Sequence, residues 1–581
     1  MINEQISINN LYHCPEPLIF LTIEDNQLRT KNLRVDYMKF FTLLLVTASL
    51  CSFTQAQTFE WVNTVPLDIQ TNPAYLHCPA VLDGYGNPVS ARLFNYKELY
   101  GTAYYGDVKI EKRNSAGALV WEDTVYGKAD VAKLIVDGEN NIIGYGTFID
   151  TMQIDTASLI YNGQGTGSFI FKLDSTGNLA WLKDGADYIT GYGVLCALAP
   201  SGLSNILLGT SDYPVESRLL KLDANGSQVS AIEETNVGTI SDIKTDISGN
   251  IWATGFAFQG PVSFNGLDTT APFVYTEYVV KYNSSGNAQW VDFIQDVTVQ
   301  QFQIETDSSG NAYLGGNLLD STSFGNLHAN GPEWVYDFFV TKLDPDGNFI
   351  WLNEIPPGNP LGDAYIGNDN FLSCSKDGHT YLTGTFRGTI NFGDSITISP
   401  IDYSDLFIIS YNQYGEVQWA KSAGSDSYDQ GSSVTADESG NYYLSGLVSE
   451  NFVFDTISGT GEYYNLFLAK LVSDNVVSVE NGKGSLPSNF TLMQNYPNPF
   501  NPSTKIEYSI PVSGFVSLKV FDVLGKETAT LVNEYKTAGN YEVNFNASNL
   551  PDGKTDLPSG VYFYRLKSGS AVQIKKMILI K

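Results

Sequence analysis

The stretch Gly177-Asn178-Leu179-Ala180-Trp181 decides the fold, because copies of it recur along the chain at a nearly constant interval. The close copies are residues 286–290 and 347–351, and the looser ones end at Trp121 and Trp419. Trp121 lies 60 residues before Trp181, and 61 residues separate Trp290 from Trp351. A degenerate copy carries Ser230 where a tryptophan is expected. Self-similarity at such a period predicts a repeat architecture.

A second motif, Asp-x-x-Gly-Asn between two apolar strands, accompanies the first. Its best examples begin at Asp246, Asp307 and Asp437, and weaker ones bring the number of units to seven. We expect a β-hairpin here, because the aspartate can cap the turn with its side chain and the glycine can adopt a positive φ. A third apolar strand and the Trp strand complete each unit of about 60 residues. Four strands of this kind make one blade of a β-propeller.

The two ends of the array predict how it closes. The domain begins with a lone Trp strand at residues 59–62, and the seventh unit ends at residues 465–471 without a Trp strand. Pairing these strands would hide two sheet edges that are otherwise exposed. The sequence therefore predicts an all-β chain, with a seven-bladed β-propeller over residues 57–475 that is sealed by its N-terminal strand.

The repeat motif resembles the bacterial β-propeller repeat family with the pattern Asp-x-x-Gly-Asn-x-Tyr-x-x-Gly, which is found in many secreted proteins. The resemblance covers about 415 residues, and the residues that carry it are structural. It implies a fold and no single activity.

Residues 489–581, which follow a polar linker at residues 476–488, have a different character. Apolar and polar residues alternate there, as around Ile506, Tyr508 and Ile510. Alternation with a period of two predicts strands with one packed face. We expect a small immunoglobulin-like antiparallel β-sandwich.

Four blocks of this segment resemble the type A C-terminal sorting domain of the type IX secretion system of Gram-negative bacteria. They are residues 495–504, 520–525, 559–566 and 576–581, and the one departure is an insertion at Lys554-Thr555-Asp556. The resemblance implies Sec-dependent export and passage across the outer membrane directed by residues 489–581. It also implies partners, namely the type IX translocon, a sortase-like protease that removes the domain, and surface lipopolysaccharide if the cargo is anchored rather than released.

The N-terminal region also predicts export. Residues 40–50 are an apolar run of 11, too short to span a bilayer, and Thr54-Gln55-Ala56 provides a small-x-small cleavage site. We therefore predict a signal peptide at residues 38–56 and interpret residues 1–37 as an upstream extension of the gene model. A lipoprotein site at Cys51 fits less well, because Leu50 occupies a position where such sites have a small residue.

The charge distribution excludes one class of partner. Residues 57–488 carry 19 basic and 51 acidic groups, a net charge of -32. Such a field repels phosphate backbones, so we expect no nucleic-acid partner and a secreted body that attracts cations.

No catalytic, cofactor-binding or metal-binding residues are predicted. The histidines of the mature chain, His77, His328 and His379, occupy different places in their repeats and are interpreted as isolated turn or surface residues. Cys78, Cys196 and Cys374 are interpreted as small buried apolar residues. Asp344-Pro345-Asp346-Gly347-Asn348 hints at a calcium loop but fits a hairpin turn better, because it lacks the later acidic positions.

One set of residues is expected to rim the central channel, because each member begins the innermost strand of a unit. The set is Asp130, Thr239, Gln300, Asn368 and Gln430. These polar side chains differ from unit to unit, so they could bind a ligand or simply hold water.

The sequence offers two enzymatic alternatives. Residues 172–181 are similar to the tryptophan-docking motif of pyrroloquinoline quinone dehydrogenases, but the spacing departs by one residue and the adjacent cysteine pair of that family is absent. A carboxylate pair for glycoside cleavage remains open, although no spacing singles out two residues. We expect no enzyme but a secreted or cell-surface binding, adhesion or structural protein with an unknown glycan or protein ligand; the alternative is a secreted polysaccharide hydrolase or lyase acting at the channel mouth.

Overall fold

The computed structural model describes the chain from Gln57 onward, with internal gaps. The described residues are 57–69, 76–190, 193–212, 216–295, 302–318, 321–331, 337–355, 363–393, 396–473, 490–510, 514–523, 525–536, 539–548, 557–568 and 571–581. The predicted N-terminal extension, signal peptide and linker lie outside these residues.

Nearly all of the regular structure is β-strand, which confirms the predicted all-β class. The strands of the first part are β1 (Gln57–Leu67), β2 (Ala80–Leu82), β3 (Pro88–Tyr100), β4 (Ala103–Arg113), β5 (Leu119–Val136), β6 (Ile142–Ile154), β7 (Ala157–Ile160), β8 (Gly167–Leu173) and β9 (Leu179–Asp184). A single 3₁₀ turn at Gly185–Asp187 follows. The next strands are β10 (Val194–Ser201), β11 (Asn205–Asp212), β12 (Glu216–Leu222), β13 (Gln228–Thr235), β14 (Val237–Thr245), β15 (Ile251–Phe264), β16 (Leu267–Tyr282) and β17 (Ala288–Gln295).

The repeat domain continues with shorter strands. They are β18 (Gln303–Thr306), β19 (Ala312–Leu318), β20 (Thr322–Phe324), β21 (Leu327–Ala329), β22 (Asp337–Leu343), β23 (Phe349–Glu354), β24 (Asp363–Ile366), β25 (Leu372–Cys374), β26 (Thr380–Arg387), β27 (Ile390–Asn391), β28 (Thr397–Ile398), β29 (Asp405–Tyr411), β30 (Val417–Ala423), β31 (Gln430–Ala436), β32 (Asn441–Ser449), β33 (Val453–Phe454), β34 (Ile457–Ser458) and β35 (Tyr464–Ser473). The C-terminal strands are β36 (Thr491–Leu492), β37 (Ser503–Ile510), β38 (Gly514–Phe521), β39 (Glu527–Lys536), β40 (Gly539–Asn546), β41 (Gly560–Ser568) and β42 (Ala571–Leu579).

Antiparallel pairing groups the repeat strands into sets of four, as the sequence motifs predict. The orders are β2-β3-β4-β5, β5-β6-β8-β9, β10-β11-β12-β13, β14-β15-β16-β17, β18-β19-β22-β23, β24-β26-β29-β30 and β31-β32-β35-β1. The long strand β5 ends one set and begins the next, and β13 also pairs with β15, so that two sheets run through eight strands each. Because some sheets contain more than one set of four strands, the number of sheets does not give the number of blades, and the count of seven stays a prediction.

The predicted closing strand is confirmed. β1 pairs with β35 along its length, from Gln57 opposite Ser473 to Leu67 opposite Tyr464. The innermost strands also form a cycle of neighbours, since β2 contacts β5, and the contacts continue through β10, β14, β18, β25 and β31 back to β2. The first strand of the domain thus completes its last set and closes a ring.

The Asp-x-x-Gly-Asn turns have the predicted geometry. At Asp246, Oδ1 accepts hydrogen bonds from the N–H groups of Ser248 and Asn250, both at 2.9 Å. Gly249 has a φ of 76°, and its N–H donates to the carbonyl of Asp246. Asp344 caps its own turn in the same way, with its Oδ1 2.9 Å from the N–H of Asn348.

The repeated tryptophans join neighbouring sets. Five of these indoles cover the turn glycine of the following set, so that a Cβ on that glycine would lie about 3 Å from the ring; the pairs are Trp61 with Gly117, Trp121 with Gly177, Trp181 with Gly226, Trp290 with Gly347 and Trp351 with Gly415. The indole N–H of Trp181 also donates to the carbonyl of Ala224 at 3.0 Å. Since Trp181 ends the segment similar to the cofactor-docking motif, this contact gives the segment an interblade packing role.

The degenerate unit is repaired by a different residue. Ser230 is exposed, and the turn glycine that follows it, Gly286, faces the side chain of Ile232 instead, with a Cβ there 3.0 Å from Ile232 Cγ1. Ile232 lies two residues after Ser230 and is buried. A branched aliphatic side chain thus fills the place that an indole occupies elsewhere.

The C-terminal domain consists of two antiparallel sheets around one core. β36-β37-β40 form one sheet and β39-β38-β41-β42 the other. Their inward residues, among them Ile506, Tyr508, Leu518 and Tyr564, form a single buried cluster. The predicted two-sheet packing is present, whereas the immunoglobulin-like description stays a prediction.

Candidate functional site

One end of the ring gathers the polar side chains at the starts of the innermost strands. All strands within a set are antiparallel, so the first strands of successive sets run in the same direction and their starts lie together. Three ionisable residues meet there from three different sets: His77 just before β2, Asp130 in the second half of β5, and Asp369 between β24 and β25. We refer to these three residues as the His77 cluster.

The imidazole of His77 lies between the two carboxylates. Its Nδ1 is 2.6 Å from Asp369 Oδ1, and its Nε2 is 3.7 Å from Asp130 Oδ2. The second oxygen of Asp369 accepts a hydrogen bond from the N–H of Cys78 at 2.6 Å. The side chain of Asp369 is fully buried, that of Asp130 is 13% exposed and that of His77 is 29% exposed. Solvent therefore reaches the cluster from the side of His77 and Asp130.

The charges of the cluster shift the pKa values of its members. Burial alone would lower the pKa of His77, but the negative charges of Asp130 and Asp369 and the hydrogen bond to Asp369 raise it to about 9. Burial also raises the pKa of Asp130 to about 6, and Asp369 adds to this effect while the charge on His77 opposes it. At neutral pH His77 is therefore an imidazolium, and Asp130 is a carboxyl group that titrates close to neutrality.

Further contacts join the His77 cluster to the neighbouring set that contains β18. Gln303 at the start of β18 donates through Nε2 to the carbonyl of Asp369, and its Oε1 accepts from the N–H of Leu372 at 3.1 Å. Farther along the same strands, Lys133 Nζ lies 3.2 Å from Asp242 Oδ1, and Lys244 Nζ lies 2.7 Å from Glu305 Oε1. Ion pairs thus join the innermost strands β5, β14 and β18 to one another.

The predicted rim residues have different surroundings in the structure. Asp130 belongs to the His77 cluster, and Asn368 immediately precedes its third member. Thr239 lies in β14, and Gln430, at the start of β31, is buried. Gln300 lies outside the described residues. One rim residue of the five therefore enters the cluster directly.

The interpretation of His77 as an isolated histidine is wrong, because it contacts two carboxylates from other repeats. No sequence spacing could reveal this, since Asp369 is 292 residues away. The other two histidines contact neighbours within five residues: His328 meets Ser323, and His379 meets Asp377. Cys78 is fully buried as expected, while Cys196 and Cys374 are partly buried.

Two features are absent from the described part of the chain. No group of three or more His, Cys, Asp or Glu side chains is arranged to hold a metal ion. Among the same residues, no helix combines the length and the apolar character needed to cross a membrane.

The C-terminal domain carries its own ordered polar centre. Tyr564 Oη donates to the carbonyl of Met493 and accepts from the N–H of Asn495, both at 2.8 Å. Asn495 in turn donates through Nδ2 to Thr504 Oγ1 at 3.0 Å. The first and third sequence blocks of the domain are therefore joined through buried hydrogen bonds.

Comparison with protein families identifies this part of the chain. Residues 494–581 match the model of the secretion system C-terminal sorting domain. A comparison with curated proteins finds no match.

Comparison with solved structures gives several β-rich neighbours. PorZ of Porphyromonas gingivalis, described as an essential surface component of the type IX secretion system, is 11% identical with a TM-score of 0.30, covering 86% of this chain and 74% of that one. The α-L-arabinofuranosidase Arb93A of Fusarium graminearum is 8% identical with a TM-score of 0.33, covering 73% of this chain and 98% of that one. A protein of unknown function from Bacteroides caccae is 10% identical with a TM-score of 0.29, covering 54% and 89%. With TM-scores this low, the neighbours carry no argument about activity.

The four sequence blocks, the two-sheet core and the family match agree with one another. Residues 494–581 are thus a type IX secretion C-terminal sorting domain, and the chain that carries them is a protein destined for the cell surface or the exterior.

Proposed function

We propose that the chain is a binding or adhesion protein that the type IX system delivers to the cell surface, where the ring presents a site for a glycan or protein ligand. The observation that carries this proposal is the hydrogen bonding within the His77 cluster: the carboxylate of Asp369 is hydrogen-bonded to the imidazole of His77 and to the N–H of Cys78. These hydrogen bonds hold the backbone at the ring entrance in place. The loops of the surrounding sets would then contact the ligand, as loops on a rigid scaffold commonly do.

The same proposal includes processing of the exported chain. A sortase-like cell-surface protease would remove residues 489–581, and the remainder would be attached to lipopolysaccharide or released. The sorting domain supports this sequence of events, and a signal peptide at residues 38–56 would supply the first step across the inner membrane.

A second candidate, a secreted hydrolase or lyase acting on polysaccharide, is favoured by one specific observation. Asp130 is partly exposed, and burial raises its pKa to about 6. A carboxyl group that keeps its proton close to neutral pH is the kind of group that protonates a glycosidic oxygen. Asp130 would be the acid in such a reaction.

One experiment separates the two candidates. The mature secreted protein is applied to a glycan array and, in parallel, incubated with the polysaccharides that the array represents. Stable binding without release of shorter sugars supports the binding protein. Turnover without stable binding supports the enzyme, and in that case Asp130→Asn should abolish turnover while leaving the protein folded.

A further inference from the structure

Two buried carboxylates converge beside Gly424, in the segment that leads from β30 to β31. A Cβ built on Gly424 would lie 2.6 Å from Asp405 Oδ1 and 2.6 Å from Asp429 Oδ2. Both oxygens therefore lie against the same side of the Gly424 Cα, which only a residue without a side chain leaves open to them. Asp405 is 1% exposed and Asp429 is fully buried.

The hydrogen bonds of the two carboxylates are very unequal. Asp429 accepts from the N–H of Ser425 at 2.5 Å, from the hydroxyl of Ser425 at 2.8 and 3.0 Å, and from the N–H of Ser449 at 2.8 Å. Asp405 Oδ2 accepts from the N–H of Ile401 at 3.1 Å, but its Oδ1 has no hydrogen-bond partner. The oxygen that points toward Asp429 is thus a buried acceptor without a donor, which is costly unless something else satisfies it.

A third oxygen lies next to this pair in the chain. The hydroxyl of Ser404 is buried and also lacks a hydrogen-bond partner, and Ser404 is held close to Asp429 because its carbonyl accepts the N–H of Asp429 at 3.2 Å. Within the described residues, no ion pair joins either carboxylate to a basic side chain. Burial, reinforced by the charge of Asp429 and opposed by the hydrogen bond from Ile401, raises the pKa of Asp405 to about 7.

Two other sets have an aspartate at the same place in their third strand, and they show how such a residue is ordinarily satisfied. Asp337 begins β22, and its carboxylate accepts from the N–H groups of Phe338 at 2.6 Å and Ile355 at 3.1 Å. Asp107 in β4 lies 2.5 Å from Lys97 Nζ and accepts from the N–H of Gly127 at 2.8 Å. Only at Asp405, among these three, does an unpartnered oxygen face a second carboxylate.

We propose that Asp405 and Asp429, with the hydroxyl of Ser404, bind a calcium ion beside Gly424. All three donors are oxygens, which suit a hard cation rather than zinc or copper. Calcium also tolerates an irregular ligand set that water completes, whereas Mg²⁺ demands near-ideal octahedral geometry. The sorting domain sends the chain to the cell exterior, where modules typically bind calcium with a Kd of about 10⁻⁴–10⁻³ M.

The test uses the mature secreted protein, freed of metal with a chelator and titrated with CaCl₂ while Tm is recorded. We expect Tm to rise over roughly 10⁻⁴–10⁻³ M CaCl₂. Asp405→Asn should weaken this response at least about tenfold, as loss of a partner in a metal site typically does. It should also raise Tm in the absence of calcium, because it removes one of two facing charges.

Asp337→Asn is the matched control, since it removes an aspartate from the same place in another unit and should keep the full calcium response. If Asp405→Asn does not fold, Ser404→Ala replaces it and should also weaken the response. The proposal is overturned if calcium does not raise Tm, if the rise persists unchanged in Asp405→Asn or Ser404→Ala, or if MgCl₂ raises Tm equally. The first of these results would mean that the two carboxyl groups share a proton instead of a cation.

Discussion

Trp61 lies on Gly117, and in doing so it fastens the end of the ring to its beginning. A Cβ on Gly117 would be 2.9 Å from the indole, and the indole N–H donates to the carbonyl of Ser115 at 3.2 Å. Trp61 belongs to β1, in the last set of strands, whereas Gly117 lies in the turn between β4 and β5 of the first set. The contact that joins neighbouring sets elsewhere is therefore also the one that spans the closure.

Gly117→Ala should destabilise the protein by more than Gly101→Ala. Both glycines have a positive φ, 82° and 62° respectively, and an alanine in that conformation costs about 1–2 kcal/mol. Only at Gly117 would the new methyl group also meet an indole, because nothing lies within 4 Å of a Cβ on Gly101. Urea unfolding measures both costs, and the two should become equal in a Trp61→Ala background. Equal costs in the wild-type background would contradict the proposed role of the contact.

Ile232→Ala should destabilise the protein by about 2–4 kcal/mol, the usual range for removing a buried branched side chain. Ile232 is buried against Gly286, in the one unit whose motif lacks its tryptophan. Ser230→Ala is the matched control, because Ser230 is exposed and surface changes of this kind stay within about 0.5 kcal/mol. A larger loss from Ser230→Ala than from Ile232→Ala would show that the interpretation of this unit is wrong.

The His77 cluster should make stability depend on pH above neutrality. The pKa of His77 is raised in the folded protein to about 9, so its contribution is fully present below about pH 6.5, the ordinary histidine value, and is lost as the pH rises through 9. The loss should be at most about 3 kcal/mol, because each pKa unit corresponds to about 1.4 kcal/mol and the imidazole is partly exposed.

Urea unfolding of the wild type and of His77→Gln at pH 6 and pH 9 measures this contribution. The free-energy difference between the two proteins should be large at the lower pH and small at the higher one. A difference that stays constant across this range would mean that the charge on His77 contributes nothing.

Glu234 should make stability depend on pH in the acidic range. Its side chain is buried and accepts hydrogen bonds from Tyr278 and Tyr282. Burial raises its pKa to about 7, although these hydrogen bonds oppose the shift. The raised value means that stability is fully present below about pH 4.5 and is lost as the pH rises through 7. Glu234→Gln should remove up to about 3 kcal/mol of this loss, so that its advantage over the wild type grows from pH 4.5 to pH 8; a constant difference would contradict the assignment.

Deleting residues 494–581 should retain the protein inside the outer membrane, since these residues are the sorting domain. Protease accessibility on intact cells and immunoblotting of periplasmic and culture fractions measure the location. In the converse arm, residues 474–581 are fused to a periplasmic reporter and should carry it to the surface. Surface display of the deleted chain, or a reporter that stays in the periplasm, would contradict the assignment.

The fold could be predicted in large part because it rests on local and periodic signals. Asp246 and Gly249 specify their turn through contacts within five residues, so the sequence alone carries the information. The lone strand around Trp61 and the incomplete last unit predict the pairing of β1 with β35, because the first supplies the strand that the second lacks. The packing of Ile232 against Gly286 cannot be predicted from the motif, because a motif search compares aligned positions and the substitute lies two residues away.

The polar clusters could not be predicted, for the opposite reason. His77, Asp130 and Asp369 come from three different sets and meet only because the ring brings strand starts together. The convergence of Asp405 and Asp429 depends on the absence of a side chain at Gly424, and Asp337 has the same position in its unit without the same surroundings. Sequence identifies which residues begin a strand, but the neighbours across the ring follow from side-chain geometry.

The pairing of β1 with β35 joins the first strand of the domain to its last, so β1 is synthesised long before its partner exists. Gln57, near the start of the chain, has its partner Ser473 more than 400 residues later. Until that partner has been made, the edge of β1 can meet only foreign strands, and pairing over such a separation is slow. A chain interrupted anywhere before β35 is consequently an open arc with two reactive edges, a form prone to edge-to-edge aggregation and proteolysis. Closure thus acts as a checkpoint for completeness, since only a chain finished through residue 473 can hide its first strand.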